Sequence, residues 1–442
     1  MNDLLKRKLY NPIKQTNLRE LLARSCSLFS NKVAFEYKKT PKDKQIIEIT
    51  YADLKSDVEA LGTSLLSLGL ENKKVAVIAP NRYAWCVSYL AITGGNMVVI
   101  PLDKSLPEHE IEDSIIRSKA DAVIFDIKYQ ETFLKIKNKQ NSNLKHYICM
   151  DFDKHTDDFL SYNSLIKNGK DEILSGNNSF WNVEIDPNKT SIMLFTSGTT
   201  SIAKIVCLSQ DNVCTNIYQI GCMAKVTSQD TFLSFLPLHH TFECTTTFLY
   251  GLYCGITIAF CDGLRYIVDN LKQFKVTGFV CVPLMLEAMY KKITNGIEKK
   301  GKTKLVNFMI HISNFLLKFH IDIRRKIFKS VINELGGYLR VIVYGAAPMD
   351  KNTIIGLSNF GINMLHGYGL TETSPVVSAE NDKYKRPGSV GFPMVDVEIK
   401  IDNPNTDGIG EVLLKGPNVM QGYYENEEAT KYSLQNRMVS LW

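Results

Sequence analysis

Residues 50–101 read TYADLKSDVEALGTSLLSLGLENKKVAVIAPNRYAWCVSYLAITGGNMVVIP, and the fold class follows from them. Thr50 and Asp53 have the form of a capping box, in which each side chain accepts the other residue's backbone N–H at a helix start. Leu54, Val58, Leu61, Leu65 and Leu68 then recur every three or four positions, which predicts one apolar helix face ending at Gly69. A short apolar run at 75–79 stops at Pro80-Asn81, a second helix is predicted over 84–93, and another run at 97–100 meets Pro101. Strands apolar along their whole length and separated by helices imply a parallel sheet covered on both faces.

The pattern extends in both directions. Runs at 122–125 and 146–150 add strands, whereas 151–189 turns polar and is expected to be a surface connection. Strand signals resume at 191–195, 231–235, 279–282 and 341–344. The region 305–335 is predicted helical, apolar and basic together, with Lys318, Arg324, Arg325, Lys326 and Lys329. It is expected to pack on the sheet with its basic face solvated, a membrane-surface helix being the alternative. After Glu380 the pattern changes to short alternating strands, 395–401 and 411–415, between Gly, Pro, Asp and Asn turns. The expected fold class is α/β, with mainly parallel sheets covered by helices. The expected units are 1–185, 186–378 and a small β-barrel-like unit over 379–442.

Composition narrows the function classes. The 442 residues are 45% hydrophobic and 22% charged, the balance of a folded globular chain. Ten cysteines are scattered with no two closer than seven positions, which excludes a CxxC pair and points to a reducing, cytoplasmic setting. The N-terminal Met-Asn-Asp-Leu-Leu-Lys-Arg-Lys lacks the apolar core of a signal peptide. The longest mostly apolar stretch, 246–261, is too short and too polar to span a bilayer. A net charge of +6 suits anionic substrates or contact with a membrane surface and does not support nucleic-acid binding.

Three loops following predicted strands carry chemistry. Thr196-Ser-Gly-Thr-Thr-Ser-Ile-Ala-Lys204 crowds hydroxyl and backbone donors with one lysine, as a phosphate chain requires, without the Gly-Lys-Ser/Thr ending of a Walker loop. Tyr344-Gly-Ala-Ala-Pro-Met349 is small enough for a planar ring to approach the backbone. His366-Gly-Tyr-Gly-Leu-Thr-Glu-Thr373 combines an aromatic ring for a base, a hydroxyl for a phosphate, and a carboxylate suited to Mg²⁺. Each alone reads as ordinary loop chemistry, but three such loops expected after strands of one sheet point to a ligand site, because α/β proteins gather ligands at the carboxyl ends of their strands. A fourth feature, Pro237-Leu-His-His240, lacks a third metal ligand at zincin spacing and reads as a pocket wall or gate.

In order, Phe-Thr-Ser-Gly-Thr-Thr…Lys, Pro-Leu-His-His, Tyr-Gly-Ala-Ala-Pro, Gly-Tyr-Gly-Leu-Thr-Glu and Gly-Glu-Val-Leu-Leu-Lys-Gly-Pro-Asn-Val-Met-Gln-Gly-Tyr-Tyr resemble the AMP-forming adenylate synthetases. The resemblance runs from about residue 20 to about 432, and it is closest to the long-chain fatty-acid CoA ligases of the acyl-CoA synthetase branch. It implies ATP-dependent conversion of a fatty acid to acyl-AMP and transfer to CoA, with Mg²⁺ assisting. It further implies that Thr196, Ser197, Gly198, Thr199, Thr200 and Lys204 hold the β- and γ-phosphates. Gly345, Ala346, Ala347, Tyr368 and Gly369 would form the adenine side, Thr371 would meet the α-phosphate, Glu372 the Mg²⁺, and His240 the mouth of the acyl pocket. Residues 242–248 and 279–282 are expected to help set acyl length. An adenylation domain loading a carrier protein, and a non-catalytic nucleotide- or acyl-binding remnant, are the rival readings.

Two departures stand out. Where the family usually has Gly, Pro and Gly around the loop lysine, this chain has Ser201, Ala203 and Ile205; a β-branched Ile205 opposes a φ > 0 conformation and predicts weakened ATP binding. The family continues into Gly-Trp-Phe-x-Thr-Gly-Asp and a C-terminal domain, whereas this chain ends Arg437-Met-Val-Ser-Leu-Trp442. AGA ATG GTT TCA TTA TGG encodes that ending, and a one-base shift yields Glu-Trp-Phe-His-Tyr-Gly. The expectation is a frameshift near codon 437 and a truncated chain with little adenylation and no thioester formation.

Overall fold

The computed structural model describes residues 7–196, 203–434 and 439–441. Two large sheets carry the chain. In the eight-stranded sheet the order is Gly422–Tyr423, Ile205–Ser209, Thr190–Phe195, Val98–Pro101, Lys74–Ile78, Ala122–Phe125, His146–Cys149 and Leu160–Ser161. In the nine-stranded sheet it is Phe392–Pro393, Val376–Ala379, Asn363–Gly369, Val341–Tyr344, Gly278–Cys281, Thr231–Ser234, Thr257–Phe260, Val33–Tyr37 and Ile47–Thr50. The strands at the centre of both sheets are parallel, and antiparallel pairs occur only toward the edges. A three-stranded antiparallel sheet, Glu398–Asp402, Glu411–Lys415 and Val439–Leu441, supplies the small β-rich unit.

Sheet membership does not follow chain order. Val33–Tyr37 and Ile47–Thr50, early in the chain, complete the nine-stranded sheet, while Thr190–Phe195 and Ile205–Ser209 return to the eight-stranded one. A single apolar core joins the two, with Val77 and Ile124 of one sheet and Phe35, Phe232 and Ile258 of the other all buried in it.

The helix Tyr51–Ser67 begins with the predicted capping box: Asp53 N–H donates to Thr50 Oγ1 at 3.1 Å and Thr50 N–H to Asp53 Oδ2 at 3.0 Å. Leu54, Val58, Leu61 and Leu65 are fully buried, and Gly69 adopts φ +76° past the helix end.

Two expectations are corrected. The polar 151–189 stretch is not merely a surface connection, because Tyr162–Leu174 is a helix packed on Tyr51–Ser67. Their backbones approach so closely that a Cβ at Gly169 would lie 1.9 Å from Ala60 O, and Ser64 Oγ donates to Leu165 O at 2.6 Å. The 305–335 region is three helices, Thr303–Leu317, Arg324–Ile327 and Lys329–Glu334. The first ends in a turn where His320 adopts φ +62°, and Asp322, before the second, accepts the Arg324 backbone N–H at 3.1 Å and its guanidinium at 2.7 Å.

Candidate functional site

A cleft of about 520 Å³ opens at the carboxyl ends of the central strands of the eight-stranded sheet, lined by Pro101, Phe195, Thr196, Ala203, His240 and Thr371 among others. Thr196, His240 and Thr371, which lie far apart in sequence, therefore face one space. Thr196 and Lys204 close the antiparallel pair of Thr190–Phe195 and Ile205–Ser209, with Thr196 N–H donating to Lys204 O at 2.9 Å. Ser197, Gly198, Thr199 and Thr200 lie outside the described residues. Ile205 begins the strand Ile205–Ser209, pairs with Phe195 and is buried. It is absent from the positive-φ positions, so the feared conflict at this β-branched residue does not arise.

Glu372 and Lys204 meet through Tyr423. Tyr423 Oη donates to Glu372 Oε1 at 2.9 Å, and Lys204 Nζ sits over the Tyr423 ring, 4.9 Å from its centroid. Burial and the Glu372 charge hold the Tyr423 phenol well above its ordinary range. The loop bearing Thr371 and Glu372 is clamped by Asn418, whose Nδ2 donates to Thr373 O at 2.8 Å and Val376 O at 3.1 Å. Met420 N–H reaches Glu372 O at 2.8 Å. The fifth motif, which carried resemblance but no assigned role, thus holds the third in place. Among the described residues no three His, Cys, Asp or Glu side chains cluster as a metal site. A single carboxylate such as Glu372 nevertheless suits Mg²⁺, which keeps waters and takes substrate phosphates for its remaining ligands.

The residues expected on the adenine side form a separate group on adjacent strands of the nine-stranded sheet. The expectation that the three loops follow strands of one sheet is therefore corrected: the loop after Thr190–Phe195 belongs to the eight-stranded sheet. Tyr344 pairs with His366, and the two rings stack 4.6 Å apart. A Cβ at Gly345 would lie 2.5 Å from Gly367 O, so this position needs glycine. Ala346 turns the chain out of the sheet at φ +68°, a conformation unusual for alanine and common where function over-determines the backbone. Ala346 and Ala347 are exposed, and Gly369 approaches Pro375 O too closely for any side chain. Tyr368 is half-buried against the cluster of Val376, Val377 and Met394, and burial raises its phenol. None of these five lines the 520 Å³ cleft, whereas Thr371, two residues past the strand that carries Tyr368 and Gly369, does.

His239 stands 3.7 Å from Asp103, and burial pushes its imidazole down to about 4, so it is neutral at pH 7. His240, beside it, is lowered in the same direction. Phe248, expected near the acyl pocket, is buried in an aromatic cluster with Phe35, Trp85 and Tyr89. Sequence reading missed Arg117, which lines the cleft, donates to Ala203 O and lies over Phe195 at 5.6 Å. It also passed over the roles of Asn418 and Tyr423. The only available signal for these was their place inside an ordered motif.

The profile of the family described as AMP-binding enzyme matches residues 22–424. The chain belongs to the AMP-binding enzyme family. Its curated relatives include a long-chain-fatty-acid–CoA ligase 5 of Mus musculus, 30% identical over 97% of this chain and 66% of its own length. A long-chain-fatty-acid–[acyl-carrier-protein] ligase of Arabidopsis thaliana chloroplasts is 26% identical over 88% of this chain and 61% of its own. The chain thus spans somewhat less than two thirds of these relatives. Among solved structures, a long-chain-fatty-acid-CoA ligase of Archaeoglobus fulgidus aligns over 96% of this chain and 79% of its own, with TM-score 0.75 and 18% identity. The inhibitor-bound N-terminal domain of FACL13 from Mycobacterium tuberculosis aligns over 97% and 95%, with TM-score 0.72 and 19% identity. These two share the fold of this AMP-binding enzyme.

Proposed function

We propose that this AMP-binding enzyme activates a long-chain fatty acid with ATP and passes the acyl group to CoA, acting in the cytoplasm with peripheral membrane contact. One observation carries the reading: Thr196, His240 and Thr371 converge on one cleft, with Lys204 and Glu372 joined through Tyr423. In the first step a carboxylate oxygen bonds to the α-phosphorus of ATP, the bond from that phosphorus to the bridging oxygen breaks, and pyrophosphate leaves. No protein nucleophile is required; positioning and neutralised charge suffice. Lys204 and the donors of residues 196–200 would hold the β- and γ-phosphates, Thr371 the α-phosphate, and Gly345, Ala346, Ala347, Tyr368 and Gly369 the adenine side. Mg²⁺, held by Glu372, would supply further neutralisation of the phosphate charge. His240 stands at the wall where the carboxylate enters. The mouse relative, a CoA ligase, favours CoA as acceptor, and the chloroplast relative, an acyl-carrier-protein ligase, favours a carrier protein.

The test is calorimetry on the 442-residue protein with a hydrolysis-resistant acyl-sulfamoyl adenosine. The expected result is binding at least about a hundredfold tighter than AMP or free fatty acid alone, because one ligand fills both halves of the site. Equal affinity for AMP and the acyl-adenylate analogue overturns the reading.

A further inference from the structure

The helix Thr303–Leu317 is apolar on two sides. Val306, Met309 and Ile310 turn inward against the core around Leu286, Ile332 and Leu357, and Ser313 is fully buried. On the other side Leu305, Phe308, Ile312, Phe315 and Phe319 recur at three- and four-residue spacing and are 52, 62, 40, 59 and 61% exposed. At the helical period these five fall within an arc of about 80°. Phe315 and Phe319 meet edge to face at 5.3 Å at the end of the stripe. Core packing is satisfied without it, and exposed aromatic side chains in such a row mark a contact surface.

Charge says what the contact is. Residues 299–329 carry nine lysines and arginines against one acid, Asp322. The whole chain has 52 basic and 46 acidic residues, so everything outside this segment holds 43 against 45 and is slightly negative. The basic excess of the protein is therefore concentrated around this helix. No acidic residue lies on it, and Lys304, His311 and Lys318 run in a row alongside the apolar stripe. A second copy docking here by two-fold symmetry would set one basic patch against another. An anionic bilayer takes both features, with rings at the acyl boundary and cations at the head groups.

We propose that the exposed face of Thr303–Leu317, with Phe319 beyond it, docks this protein on an anionic lipid surface, the helix lying in the plane of the interface. The ligase reading supplies only the use of such docking, since long-chain acids partition into membranes. Docking needs no substrate, so it stands or fails separately from the calorimetry above.

The experiment is co-sedimentation of the full chain with vesicles of phosphatidylcholine alone and with about 30% phosphatidylglycerol. The protein is expected to partition about tenfold more strongly onto the anionic vesicles, with much of that gain lost near 0.5 M salt. The triple variant F308S/F315S/F319S is expected to bind about a hundredfold more weakly. K304E/K318E is expected to lose about tenfold on anionic vesicles and little on neutral ones. All five altered side chains are exposed, so both variants are expected to keep the parent Tm. Parent protein left in the supernatant with anionic vesicles overturns the proposal, as does a triple variant that binds like the parent. Light scattering that shows a parent dimer, made monomeric by the triple substitution with no vesicle binding, assigns the face to a second copy instead.

Discussion

Tyr423 shows how a single side chain can organise charges drawn from distant parts of the chain. Its hydroxyl fixes one oxygen of Glu372 at 2.9 Å while its ring faces the Lys204 ammonium. Y423F keeps the ring and removes only the hydrogen bond to a carboxylate, a contact of about 1.5–3 kcal/mol. The expected outcome is MgATP binding about tenfold weaker by calorimetry, with ATP binding in EDTA unchanged. Equal losses in both conditions would show that Tyr423 acts on the loop as a whole and not through the Glu372 carboxylate. Glu243 offers a second test at this scale. It is fully buried, its Oε2 accepts from Thr247 Oγ1 at 3.1 Å, and burial pushes its carboxyl up to about 8 against the opposing effect of Ser234 and Thr247. Between the ordinary value of 4.5 and about 8 the folded protein holds a proton that the unfolded chain releases, so stability falls as pH rises through that window. E243Q does not titrate, and its Tm is expected to drop less than the parent's between pH 5 and pH 8. Parallel Tm curves would show that Glu243 is ionised when folded. Residue identities at the site were legible as motif letters. The Tyr423–Glu372 contact was not, because its partners lie 51 positions apart and nothing in local spacing records where two strand ends meet.

Among the elements, legibility followed the density of the apolar signal. Ala122–Phe125 and Val341–Tyr344 fall where uninterrupted apolar runs place them, since strands buried on both faces admit no polar residue. The helix Tyr162–Leu174 hid in a polar stretch because only Tyr162, Leu165 and Gly169 are buried along it. Its attachment is a close backbone approach, which a hydrophobicity pattern cannot show. That approach makes a sharp prediction. G169A puts a methyl 1.9 Å from Ala60 O, backbone that cannot swing aside. The helix must separate from Tyr51–Ser67, at a cost of about 3 kcal/mol, despite the higher helix propensity of alanine. Urea denaturation is expected to show the loss as a lowered midpoint at unchanged slope. A neutral or stabilising G169A would mean that the two helices are not in backbone contact. The strand Ile205–Ser209 is hidden for another reason: the family resemblance puts a glycine where this chain has Ile205, whose β propensity suits the strand it begins.

The sheet plan of the whole molecule was out of reach of sequence, since pairing Val33–Tyr37 with Thr257–Phe260 joins positions more than two hundred residues apart. What local reading could supply was the class, parallel strands under helices, and the rule that ligands gather at strand ends. The interleaved sheets have a mechanical consequence at the cleft. Asn81, just past the carboxyl end of Lys74–Ile78, donates to Leu236 O at 2.7 Å and Ser234 Oγ at 3.1 Å and accepts the Leu238 N–H at 3.2 Å. It ties the eight-stranded sheet to the segment that leads from the nine-stranded sheet into His239 and His240. N81A removes all three bonds and is expected to cost about 2 kcal/mol, because the site is half-buried and water replaces part of the loss. Because one apolar core spans both sheets, unfolding is expected to stay a single transition, with fluorescence of Trp85 and Trp181 and circular dichroism moving together. The acyl-adenylate analogue is expected to bind N81A more weakly, since the wall bearing His240 loses its anchor. Two separated transitions would mean that polar ties such as Asn81, and not the shared core, make the sheets one cooperative body.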